Sequence, residues 1–192
     1  MNKVIHFLWR RRTTFMAILG FAVLVVGRPA PRYVIVGVPL ILAGQAIRLL
    51  AAGYLSKDNE LITAGPYALC RNPLYVGSFL ISCGYLAIFG RLDVFAIGIV
   101  LFWLFHGGAV IYEENKLRSV FGSAYTKYVA EVPRFLPRSF RYSGNGAFSW
   151  RLVISNNEHR TAVLNVILSA AIVVNAFTLR VSPLSYLISL VQ

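Results

Sequence analysis

The chain has 192 residues, 57% of them hydrophobic and only 14% charged, with a mean hydropathy of +0.65. A soluble domain carries about a quarter charged residues, so this composition excludes a water-covered surface and predicts an all-α, polytopic membrane bundle. The formal net charge of +12 would suit nucleic acid if the basic residues lined one polar face. They gather instead between apolar runs, which excludes that partner and fits Lys and Arg clustered on the cytoplasmic side of a membrane.

Five apolar runs follow in chain order, judged against the roughly 20 residues needed to cross a bilayer. The first, Thr13 to Gly27, follows Arg10-Arg11-Arg12. A signal peptide would have the same opening, but no small-x-small cleavage site follows, and Arg28-Pro29-Ala30-Pro31-Arg32 reads as a tight turn into the second run, Tyr33 to about Leu55. Leu74 to Phe89 and Leu92 to Tyr112, separated by Gly90-Arg91, read as a helical hairpin. The last, Thr161 to about Leu190, is interrupted by Arg180 and Pro183 and reads as one span plus an interfacial piece or as two short passes. With the N-terminus inside, the cytoplasmic segments hold 14 Lys and Arg and the opposite loops hold 3, namely Arg28, Arg32 and Arg91. That bias sets the orientation and puts both long polar loops, 56–73 and 113–160, in the cytoplasm. Composition shifts near Pro137, so the chain divides into a membrane core over 1–138, with its motifs in 56–138, and a linker plus C-terminal span over 139–192. Cys70 and Cys83 form no CxxC pair and no cluster with His, and read as packing residues, with no metal site.

The first cytoplasmic loop ends Gly65-Pro66-Tyr67-Ala68-Leu69-Cys70-Arg71-Asn72-Pro73-Leu74-Tyr75-Val76-Gly77. Asn72 is a good N-cap and Pro73 a good first helical residue. Helix capping leaves Arg71, Tyr67 and Tyr75 unexplained, and a helix start beside an arginine is a natural seat for a carboxylate or phosphate. The second loop grows out of the fourth span. His106 and Glu113 are two turns apart on one face, Gly107-Gly108 suits close helix packing, and Glu113-Glu114 are two of only seven acidic residues. Carboxylates at that depth are a functional hypothesis, set against a simple marker of where the helix leaves the membrane. Leu117, Val120, Phe121, Ala124 and Tyr128 then recur at helical spacing, predicting an amphipathic stretch on the membrane surface, broken at Gly122. Val132-Pro133-Arg134-Phe135-Leu136-Pro137 makes an extended exit.

In order, GPYxxxRNPxYxG, a hydrophobic hairpin, EExxL, FGxxYxxY and VPRFLP resemble the isoprenylcysteine carboxyl methyltransferase and phospholipid N-methyltransferase superfamily in its short bacterial form, over residues 56–138. The family's usual triplet is Arg-His-Pro, and this chain has Arg71-Asn72-Pro73. The resemblance implies S-adenosyl-L-methionine as cofactor and a membrane lipid or other lipophilic acceptor as partner, in a bacterial inner membrane with the site facing the cytoplasm. It casts Arg71, Asn72 and Pro73 at the helix start as the seat of the cofactor's carboxylate. Glu113 and Glu114 become acceptors for its ribose or amino group, and Tyr67, Tyr75, Tyr125 and Tyr128, with Gly77, become walls for its adenine. For the transfer itself, Arg134 would steer an acidic acceptor, and His106 or Glu114 would take a proton from an amine acceptor. Two other readings are an NADPH-dependent membrane reductase of the sterol-reductase type, which shares an Arg-His-Pro pattern, and a non-enzymatic scaffold.

The charge bias has a direct consequence. Single cysteines placed at Ser56 and Ser143, in a background lacking Cys70 and Cys83, are expected to react with an impermeant maleimide only from the cytoplasmic side. Labelling of either from outside would invert the topology.

Overall fold

The structure, a computed structural model, describes residues 29–56, 60–137, 144 and 146–179. The expected first span and the chain beyond Leu179, with the choice between one and two final passes, lie outside the described residues, as does residue 138, where the domain boundary was placed. Within the described residues every regular element is helical: α1 (Pro31–Tyr54), α2 (Pro66–Leu69), α3 (Pro73–Ile88), α4 (Leu92–Glu131), α5 (Trp150–Ser155) and α6 (Glu158–Val174), followed by a π-helical turn, Asn175–Leu179. α1, α4 and α6 with its π turn are long and apolar enough to cross a membrane, and α3 is a shorter apolar helix. The protein is therefore integral to a membrane.

α1 opens on Pro31, whose fixed φ suits the first helical position. It tolerates Pro39 inside, as membrane helices do where neighbours re-satisfy the backbone. The turn between α3 and α4 is closed by Gly90 at φ 62°, its N–H donating to the Ala87 carbonyl at 2.9 Å. A side chain there would strike the Tyr33 ring, so only glycine serves. The hairpin read from Gly90-Arg91 is therefore real. α4 runs for 40 residues across a kink at Gly122, and the part before the kink alone rises about 45 Å, more than the hydrocarbon thickness. Its apolar first half crosses, and its polar second half from Glu113 onward lies beyond. The expected break falls at Gly122 (φ 52°, ψ −120°).

The chain forms two compact units. The first, over the described residues 29–41, 82–109 and 165–179, packs Val34, Ile41, Ile88, Ile172 and Ala176 together. In it α1 and α3 touch through glycine, because a Cβ on Gly84 would lie 2.6 Å from the Gly37 carbonyl oxygen. The second, residues 42–81 and 110–164, has its own pair, with a Cβ on Gly77 2.6 Å from the Gly44 carbonyl oxygen and 2.6 Å from Arg48 Cγ. Lipid offers apolar side chains no hydrophobic gain on association, so small residues that let backbones approach drive helix contact.

Three expectations change. The amphipathic stripe buries Tyr125, Tyr128 and Val132, with Leu61, Leu117 and Phe121 packed against them and half-buried, while Val120 and Ala124 face outward. The buried row, at steps of mostly four residues, is too narrow to include them. The segment after 139 is more than a linker. Phe148 meets the Tyr54 ring edge-on at 6.0 Å, Ser149 N–H donates to the Gly53 carbonyl at 2.8 Å, and Asn156 Nδ2 caps the end of α1 at the carbonyls of Ala52 (3.1 Å) and Leu55 (2.9 Å). Finally, α6 begins at Glu158 rather than Thr161.

The glycines predict opposite responses to one added methyl group. Gly84→Ala is expected to lower the thermal midpoint of detergent-solubilised protein, at a cost of about 1–3 kcal/mol for overpacking. Gly107→Ala, whose Cβ meets no described atom within 4 Å, is expected to leave it unchanged or raise it, since alanine is the better helix former. Equal losses would contradict the packing.

Candidate functional site

One carboxylate organises the second unit. Glu114 is buried, just past the apolar half of α4. It accepts from Asn72 Nδ2 at 2.8 Å, from Arg134 Nη2 at 2.7 Å and Nε at 3.1 Å, and more distantly from Arg71 Nε at 3.2 Å and Nη2 at 3.4 Å. Two segments far apart in sequence thus converge on the two oxygens of a third. Burial by itself would push the Glu114 pKa up. Hydrogen bonds from Arg134, Arg71 and Asn72 outweigh it and hold the carboxyl below its ordinary value.

Arg71 also ties the loops. Its Nη1 donates to the carbonyls of Val132 (2.6 Å) and Val129 (3.3 Å), and its backbone N–H to that of Pro133 (2.9 Å). The Asn72 amide reaches the Arg134 carbonyl at 3.3 Å as well. The expectation of Asn72 as an N-cap is corrected in part. It stands before Pro73 and its carbonyl accepts from Tyr75 and Val76 N–H at 3.1 Å each, but its side-chain nitrogen turns to Glu114. Those two N–H groups therefore do not point at a ligand.

The tyrosines surround this core in different roles. Tyr75 donates to Glu113 Oε1 at 2.8 Å, and Tyr128 to the Tyr67 carbonyl at 2.6 Å. Tyr125 is 1% exposed, and its hydroxyl has no hydrogen-bond partner among the described residues. Burial, then the Glu114 carboxylate, push its pKa up against the pull of Arg71, Arg118 and Arg134, so the phenol stays protonated and a donor at neutral pH. Cys70 is a buried free thiol, and burial pushes it up to about 11, which leaves it unreactive. Pro73 is fully buried, and Gly77 makes room for Gly44 and the stem of Arg48. His106 belongs to the first unit, where it stacks on Phe102 at 4.2 Å with Nδ1 3.0 Å from the Phe102 carbonyl oxygen.

Glu114, read from sequence as a proton acceptor, is a poor one. A carboxylate held ionised by two guanidinium groups gives up little on staying so. Sequence reasoning missed the carbonyls of Val129 and Val132, because nothing in a side-chain pattern marks a backbone acceptor. Among the described residues no three His, Cys, Asp or Glu come together as a metal ligand set.

A family model for phospholipid methyltransferases matches residues 40–124. That match, with the relatives below, supports a place in the superfamily of the phospholipid and isoprenylcysteine methyltransferases. The chain is 34% identical over 134 residues to the cobalt-zinc-cadmium resistance protein CzcN of Cupriavidus metallidurans, covering 69% of this chain and 61% of that one. It is 33% identical over 98 residues to a protein-S-isoprenylcysteine O-methyltransferase of Schizosaccharomyces pombe, covering 51% of this chain and 42% of that one. A nickel-cobalt-cadmium resistance protein, NccN, of Alcaligenes xylosoxydans xylosoxydans is 39% identical over 93 residues, 47% of this chain and 43% of that one. The chain spans less than two thirds of the length of each of these relatives.

The depressed Glu114 pKa predicts an acid limit. A carboxyl whose pKa falls on folding contributes stability that is complete above its unfolded value, about 4.3 for glutamate, and lost as pH drops through the folded value. The thermal midpoint should fall on acidification below about pH 4.3. Glu114→Gln should cost about 3 kcal/mol at neutral pH, the low end for breaking a buried pair because Arg134 is 46% exposed, and should flatten that acid dependence. A variant as acid-sensitive as the parent would remove Glu114 from the centre of the fold.

Proposed function

We propose that the protein is an S-adenosylmethionine-dependent methyltransferase, acting from the cytoplasmic face of a bacterial inner membrane on a lipophilic acceptor delivered from the bilayer. The observation that carries this reading is the convergence of Arg71-Asn72 and Arg134 on Glu114 in the unit that also holds the Tyr125 hydroxyl, which has no partner among the described residues. The family-model match over residues 40–124 and relatives named isoprenylcysteine O-methyltransferases support the reaction class.

The residues fit the cofactor. Two arginines face the Glu114 carboxylate, which matches only one of their charges, and Tyr125 adds a protonated donor without a partner among the described residues. Together they suit the carboxylate of the methionine end. Arg134, with nearly half its side chain exposed, is the outward edge of that donor set and the group that orients an anionic acceptor. Glu113, steadied by Tyr75, offers an acceptor for an ammonium or hydroxyl group, and the buried tyrosines offer an apolar wall. The bound cofactor supplies a methyl group on a sulfonium, which one displacement moves to a nucleophile. The chain's residues align the partners and exclude water. A carboxylate acceptor arrives ionised and requires no base, which suits a site whose central carboxylate is a poor one. An amine acceptor is the weaker alternative for the same reason.

Two measurements test the reading. S-adenosylhomocysteine is expected to raise the thermal midpoint of the solubilised protein by mass action. A shift with NADPH alone would favour the reductase, and a shift with neither would favour a scaffold. Tyr125→Phe is sharper. It removes an unsatisfied buried hydroxyl, so the unliganded protein should keep or gain stability. It should nevertheless weaken S-adenosylhomocysteine roughly ten- to hundred-fold, the loss of a hydrogen bond to a charged group. Unchanged affinity would remove Tyr125 from the cofactor site.

A further inference from the structure

A second buried charge cluster lies in the same unit, on residues to which the reaction assigns nothing. Glu158, 4% exposed at the first turn of α6, accepts from Arg48 of α1 in a two-pronged pair, Nε to Oε1 and Nη2 to Oε2 at 2.7 Å each, and from Gln45 Nε2 at 3.1 Å. The third nitrogen of Arg48, Nη1, donates to Ser78 Oγ at 2.5 Å, and that hydroxyl donates to the Leu74 carbonyl at 2.9 Å. Leu74 is the second residue of α3, between Asn72 and Tyr75, which hold Glu114 and Glu113. The Arg48 stem lies against Gly77, where a Cβ would come within 2.6 Å of its Cγ.

Ionised groups this close to a membrane interior are costly and are kept only for a reason. Anchoring α6 to α1 is one reason. Anchoring alone does not call for the last two bonds, which carry the contact from Arg48 into the first turn of α3. We propose that Glu158 and Arg48 are positioning residues of the methyltransferase site. Glu158 fixes the guanidinium plane of Arg48, and Arg48 fixes the start of α3 through Ser78, and with it the register of Asn72 and Tyr75 against the paired glutamates. Glu158 lies beyond residues 40–124, so part of what shapes the site comes from chain outside the family match. This rests on the cofactor reading above, and its test separates the two.

Glu158→Ala leaves an unpaired buried cation and can prevent folding. The informative variants are Ser78→Ala, which cuts only the last link, and the double change Arg48→Met with Glu158→Leu, which replaces a buried pair by apolar groups of similar size and is often neutral or stabilising. Each is purified in detergent. Thermal midpoint, amide exchange of residues 73–78 and S-adenosylhomocysteine affinity are then measured. The expected result is a double variant at least as stable as the parent, with faster exchange at 73–78 and affinity weakened on the order of three- to thirty-fold, and Ser78→Ala in the same direction. Unchanged exchange at 73–78 overturns the proposal whether or not the cofactor binds. Faster exchange with unchanged affinity overturns it too, leaving a helix anchor. If the parent itself binds no S-adenosylhomocysteine, the cofactor reading fails and this positioning role falls with it, while unchanged affinity in a binding-competent parent sinks the positioning role alone.

Discussion

The Glu114 carboxylate sets the terms for the second of the two units. Two oxygens take hydrogen bonds from the loop before α3 and from the exit after α4. Neither segment has regular structure sufficient to fix it alone, and the bilayer stabilises neither. A carboxylate at the end of a crossing helix is rigidly held by that helix, so the loops inherit its position. Arg71 then extends the constraint to the last turn of α4 through the Val129 and Val132 carbonyls. Charge-assisted bonds inside a partly buried site are stronger than neutral ones and more damaging to lose. The cluster therefore gives the site both its shape and its sensitivity.

The membrane half obeys a different balance. Its outward faces are apolar, with Ile35, Leu42, Val100 and Leu104 all more than half exposed, and in lipid that exposure carries no penalty. Specificity of contact must come from shape and from polar pairs. The glycine approaches Gly37 to Gly84 and Gly44 to Gly77 supply the first, and Arg48 with Glu158 supplies the second. Each is specific because it fails abruptly: a methyl group finds backbone in its way, or an ion loses its partner.

The parts of the fold legible in sequence were those written as contrasts. Apolar runs against charged loops located α1, α3, α4 and α6, and Gly90 and Gly122 located the turn and the break because their φ values suit glycine. The motif residues were found as a set, and Arg71, Asn72, Glu114 and Arg134 do meet. Their division of labour was not legible, since a side chain's partner is fixed by three-dimensional approach. The same guanidinium that sequence offers to a ligand here donates to two carbonyls. Phe148 and Asn156 were missed because turn-rich composition signals an irregular backbone, not one without contacts.

Asn72 in place of the family's histidine becomes intelligible at this level. The position asks for a donor toward Glu114 and a side chain short enough to stay beside the Arg134 carbonyl. An imidazole can supply that donor, and when protonated it also adds positive charge. Asparagine supplies the donor at every pH and no charge. With Arg71 and Arg134 already on the same carboxylate, a third cation would gain little from Glu114 and would repel both arginines. Asparagine thus keeps the bond that orders the loop and adds no group that titrates near neutrality.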